Sequence, residues 1–153
     1  MKQSNGVKFL VRVCFMAYLI ILLYLLLVAE RSTSAGGMNT VLFAEITRYL
    51  FHIDTIGVKQ VIINLGGNVV GFIPFGYLLP RWNNRFDRFY MTCGCCFSFS
   101  LTVEVIQLVT RVGCFDVDDV FLNTLGGILG YILYACHRSV RSRQSGTKKK
   151  IKK

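Results

Sequence analysis

Residues 89–110 read FYMTCGCCFSFSLTVEVIQLVT, twenty-two residues with one charge, Glu104. A helix crossing the hydrocarbon core of a bilayer needs about 20 largely apolar residues. Three further windows meet that requirement: 13–29, 61–79 and 120–136. Arg12 and Glu30 bound the first, Pro80 and Arg81 close the second, and the last is entered from Asp118 and Asp119 and left at His137. Trp82, Tyr90 and Tyr134 stand near window ends, where amphipathic rings favour the membrane interface. The fold class is therefore an all-α membrane protein with four transmembrane helices.

Composition agrees. The 153 residues are 53% hydrophobic and only 17% charged, against about 25% charged in an ordinary soluble domain. The net charge of +10 is concentrated: eight of the eighteen Lys and Arg residues lie in 138–153. A basic chain can serve nucleic acid. A basic tail on an apolar body is instead a topology signal and a contact for anionic lipids, so no nucleic acid partner is expected. The six cysteines give no metal signature: Cys93, Cys95 and Cys96 lack C-x2-C spacing and a nearby His. They read as small apolar packing residues. No metal or other cofactor is expected.

Orientation follows from where Lys and Arg accumulate. They exceed the acids in the N-terminal segment 1–12, in the connection at 80–88 and in the tail 137–153. By the positive-inside rule these three lie in the cytoplasm, so the chain is N-in and C-in. Thr33-Ser34-Ala35 also resembles a small-residue cleavage site, but the first apolar core is long for a signal peptide, whose core runs about 7–15 residues. An uncleaved helix is the preferred reading. The first connection is the long one. Within it Val41, Leu42, Ile46, Tyr49, Leu50 and Ile53 recur at near-helical spacing, which predicts an amphipathic helix covering the outer ends of the spans. The tail beyond Ser139 is expected to be disordered.

Ionisable residues inside a span are costly, about 2.5–3.5 kcal/mol at the centre, and mark function by default. Glu104, Gln107 and Arg111 share one face of the third helix. Glu104 falls roughly 9 Å below the outer boundary at 1.5 Å per residue. Asp119 and Asn123 lie one turn apart on the fourth helix, with Asp116 just before it; Asn64 and Asn68 lie on the second. These polar stripes share one depth, which points to a site between helices facing the outer leaflet. Gly67, Gly71, Gly76, Gly126, Gly127 and Gly130 are candidates for close helix packing, and Pro74 for a bend in the second helix.

Taken in order, the stretches 68–80 (NVVGFIPFGYLLP), 104–111 (EVIQLVTR) and 116–130 (DVDDVFLNTLGGILG) resemble the VanZ-like family. The match runs from about Val61 to Tyr134, with the first helix matching in character only. Gly71 departs from the pattern, where a bulkier residue is expected. The resemblance implies a bacterial multi-pass protein of the cell membrane with a VanZ-like transmembrane domain over 13–136. It also implies a link to resistance to the glycopeptide teicoplanin.

The leading expectation is a protein that binds an envelope component, such as a cell-wall precursor, or a lipid headgroup at the outer leaflet. Arg111 would attract an anionic group, and the other polar residues would orient it. One alternative is an enzyme on a lipid-linked substrate, using Glu104 and Asp119 as paired carboxylates. Against it, there is no nucleophile with a base at fixed spacing, and His52 and His137 fall on opposite sides of the membrane. The other alternative is a structural or partner-binding membrane subunit.

Overall fold

A computed structural model describes residues 5–28 and 38–151, with side chains for 6–27 and 38–144. Lys2, Glu30, Arg31, the 33–35 cleavage motif, Lys152 and Lys153 lie outside the described residues. Four helices are long and apolar enough to cross a membrane: Gly6–Leu27, Val58–Trp82, Phe89–Thr110 and Val117–Gln144.

Helix α1 (Asn5–Val28) starts two turns before the apolar window, because no Gly, Pro or other breaker interrupts 7–28. Between it and the second crossing lie strand β1 (Met38–Asn39), helix α2 (Ala44–Phe51) and the short helix α3 (Ile53–Ile56). The second crossing is composite. It begins as α4 (Val58–Val61), widens into a π-turn (Ile62–Gly66), and continues as α5 (Gly67–Trp82). Pro80 does not close this helix, which carries both Pro74 and Pro80 inside and ends at Trp82. A 3-10 turn (Asn84–Phe86) leads to α6 (Phe89–Thr110), then strand β2 (Phe115–Asp116) and α7 (Val117–Ile151). The tail is thus helical through Ile151, not disordered; 138–144 contains no Gly or Pro to stop a helix already running.

Helix α5 packs chiefly on α7, and α6 on α7, while α1 lies against α5. Glycines set the α5–α7 contact. A Cβ at Gly76 would overlap the Gly127 backbone, one at Gly126 the Val69 carbonyl, and one at Gly130 the Ile73 carbonyl. Only glycine admits backbones this close. The Gly67/Gly71 pair makes no such approach: Gly67 has open space around it, and Gly71 meets only the Leu22 side chain at 3.8 Å. The Tyr18 hydroxyl donates instead to the Gly71 carbonyl at 2.6 Å, tying α1 to α5 in the turn loosened by Pro74.

The core is aromatic and aliphatic. Phe72, Phe75 and Phe99 meet with ring centroids 5.1–6.1 Å apart, and Phe15, Leu22, Leu26, Leu79 and Val103 surround them. The outer surface is apolar too: Phe9, Ile20, Ile21, Tyr24, Val70, Val109 and Leu133 are all exposed. An apolar exterior over four long helices is a surface made for lipid, not water.

Candidate functional site

The site begins with one aspartate. Asp118 is completely buried, and its carboxylate accepts from the backbone N–H groups of Phe43 (2.5 Å), Glu45 (2.8 Å) and Ile46 (3.1 Å). Those groups start α2, and a helix start leaves N–H donors without intrahelical partners. Asp118 therefore caps α2 from more than seventy residues downstream. It also holds Phe43 in a left-handed conformation (φ 67°), helped by the edge-on Phe43–Phe121 contact at 5.3 Å. Beside it β1 and β2 pair in parallel, Met38 with Phe115 and Asn39 with Asp116. Asp116 Oδ1 accepts from the Asn39 amide at 3.0 Å and the Asp118 backbone at 2.8 Å.

This clamp stands α2 over the start of the second crossing and of α7, enclosing a polar cleft of about 530 Å3. Helix α2 contributes Glu45, Arg48 and Tyr49; the second crossing contributes Gln60, Asn64 and Asn68; the other wall carries Asp116, Asp118 and Asp119. Asn64 donates to the Tyr49 hydroxyl at 2.5 Å, Asn68 donates to Asp119, and Arg48 pairs with Glu45 at 2.8 Å. Asn64, within the π-turn at 62–66, and Asn68, four residues on and so on the same helix face, both line the cleft.

Electrostatically the cleft is acidic. Burial, with the neighbouring charges of Asp118 and Glu45, pushes the Asp116 carboxyl up to about 6, against the lowering effect of its two hydrogen bonds. Burial likewise raises the Tyr49 hydroxyl. Among the described residues there is no group of three His, Cys, Asp or Glu placed to hold a metal ion.

The structure divides the polar residues read from the sequence. Asn64, Asn68, Asp116 and Asp119 line the cleft. Glu104, Gln107 and Asn123 lie behind it, 3%, 1% and 2% exposed. Each joins elements: Glu104 accepts from the Asp116 backbone at 2.9 Å, Gln107 donates to the Leu26 carbonyl at 2.9 Å, and Asn123 donates to Ser100 at 2.8 Å. Arg111 is exposed at the end of α6 in a left-handed turn (φ 55°), does not line the cleft, and forms no ion pair among the described residues. The cation in the cleft is Arg48. Sequence reading missed Glu45, Arg48, Tyr49 and Gln60 because α2 reads as a cover; its polar face was the available signal.

The VanZ/LLP1 family model matches residues 15–138, from Phe15 in α1 through the clamp, the cleft and the α5–α7 contact. The chain belongs to the VanZ/LLP1 family. One VanZ relative, Protein VanZ of Enterococcus faecium, is 43% identical over 67 residues, which make up 44% of this chain and 41% of that protein. The alignment thus spans well under half of either. No solved structure matches.

Proposed function

We propose that this VanZ/LLP1 membrane protein lies in the bacterial cell membrane with both termini in the cytoplasm. The cleft under α2 then opens at the outer leaflet and binds the polar part of an envelope component or a lipid headgroup. The charge distribution supports the orientation. The observation that carries the binding reading is the cleft itself: about 530 Å3 lined by hydroxyl, amide, guanidinium and carboxylate groups in an otherwise apolar molecule. With four carboxylates and one arginine on its walls, it suits hydroxyl- and amine-rich groups better than the anion expected from Arg111. The link to teicoplanin resistance implied by the family resemblance is read as a consequence of such binding at the cell surface.

The geometry does not favour the enzyme reading. Glu104 and Asp119 do not face a common cavity, since Glu104 is buried behind the cleft and engaged by the Asp116 backbone. The buried Glu104, Gln107 and Asn123 fit a supporting role.

The test uses single cysteines in an otherwise cysteine-free protein, labelled by an impermeant thiol reagent added outside intact cells. Asn64→Cys and Asn68→Cys should label, and Gln107→Cys and Asn123→Cys should stay protected. Protection at 64 and 68, with protein amount unchanged, would remove the outward-facing cleft and the reading with it.

A further inference from the structure

At the opposite end of the bundle a second cavity, of about 500 Å3, runs between α1, α5 and α6. Its walls are apolar: Phe15 and Leu19 from α1, Phe75 and Leu79 from α5, Met91 and Phe99 from α6. Small residues on α6 create it. A Cβ at Gly94 would meet nothing within 4 Å, so this glycine opens space and does not serve close packing. Met16, Tyr90 and Met91 on its rim are each more than 40% exposed, so the trough opens sideways onto the surface that faces lipid.

Its mouth is basic. Trp82 and Phe15 meet at 5.7 Å, which sets the mouth at the Trp82 level, and Arg12 stands one turn before Phe15 on α1. Arg88 Nη1 donates to the hydroxyl of Tyr90, itself a lining residue, at 2.7 Å. Arg85 lies on the connecting turn. The one acid of that connection, Asp87, is turned the other way: Tyr134 donates to its carboxylate at 2.8 Å and Arg138 pairs with it. Arg12, Arg85 and Arg88 are exposed and form no ion pair among the described residues.

An apolar trough open to the membrane and ending in uncompensated arginines at an aromatic belt matches one molecule by shape and charge. We propose that the trough binds a diacyl phospholipid with an anionic headgroup. One acyl chain lies along Gly94 between α1 and α6, and the phosphate sits among Arg12, Arg85 and Arg88. The site is separate from the polar cleft and does not rest on its reading.

Trp82 is the only tryptophan in the chain and lines the trough, so its fluorescence reports occupancy. The full-length protein is reconstituted in phosphatidylcholine vesicles containing a minor fraction of chain-brominated phosphatidylglycerol or chain-brominated phosphatidylcholine in both leaflets. Brominated phosphatidylglycerol should quench with an apparent affinity about fivefold or more higher, the factor that about 1 kcal/mol from one basic residue supplies. High salt should shrink that preference. Arg12→Gln, Arg85→Gln and Arg88→Gln together, all at exposed positions, should bring the ratio close to one while quenching by phosphatidylcholine persists. Gly94→Phe should fill the trough and reduce quenching by both lipids with unchanged helicity. Equal quenching of the unaltered protein by the two lipids overturns the proposal, as does a preference that survives removal of all three arginines. Absence of quenching by either lipid also overturns it, because another chain then covers the trough.

Discussion

Asp118 organises the cleft through backbone contacts alone. Its carboxylate satisfies three N–H groups of a segment far away in the chain. A buried donor left without a partner costs about 1–3 kcal/mol, so replacing the carboxylate releases α2 instead of leaving the groups dry. Asp118→Ala should therefore speed amide hydrogen exchange at residues 43–46 by about tenfold or more, a tenfold change being about 1.4 kcal/mol. Asp118→Asn, keeping one acceptor oxygen, should give a smaller increase. Exchange rates equal to wild type would mean that α2 is held by something else. Asp116 adds a pH dependence of defined sign. Its folded-state value, about 6, lies above the ordinary 3.8, so between these values the folded form binds more protons than the unfolded. Its contribution is present in full below the lower value and is lost as pH rises through 6. Thermal stability in detergent should fall between pH 4.5 and 6.5 more steeply in the wild type than in Asp116→Asn, which keeps the oxygen that accepts from Asn39 and Asp118. Parallel curves for the two proteins would show that Asp116 does not titrate in this range.

The glycines teach the same lesson at the scale of elements. Spacing alone presents Gly67/Gly71 and Gly126/Gly130 as equivalent pairs, yet only the second lies where two backbones touch. Gly130→Val should drive a side chain into the Ile73 carbonyl and deplete folded protein. Gly67→Ala should be tolerated or stabilising by about 0.5–1 kcal/mol, because its position is open and glycine is a poor helix former. Comparing the monodisperse yield of the two variants checks this; equal loss would mean that the contact is not set by glycine. The four crossings were legible because length and apolarity suffice to define them. That Asn68, Gln107, Asp119 and Asn123 lie on spanning helices was legible from the windows and their edges. Which of these residues open onto the cleft was not, since that depends on where α2 docks. Arg48 and Arg111 show the limit clearly. Both are single cations near polar clusters, and only the clamp made by Asp118 decides which one faces the cavity.

Across the whole molecule, chemistry collects at two ends of an apolar bundle. The acidic cleft lies where α1 and α6 end and α7 begins; the arginine-rimmed trough lies where α5 ends and α6 begins. The two lie at opposite ends of the spanning helices, so a ligand at one end would be kept apart from a ligand at the other. Between them the tightest contact joins α5 to α7, with α6 intervening in the chain. That order has a consequence for biogenesis. A nascent chain emerging from the ribosome delivers α5 to the bilayer with its glycine face bare and Asn68 without the aspartate it will bind. Its permanent neighbour is not yet translated. Until residues 117–130 arrive, the tie from Tyr18 to Gly71 and the packing of Phe15, Phe75 and Phe99 are what can hold the early helices together, and the last helix closes a bundle that was waiting for it.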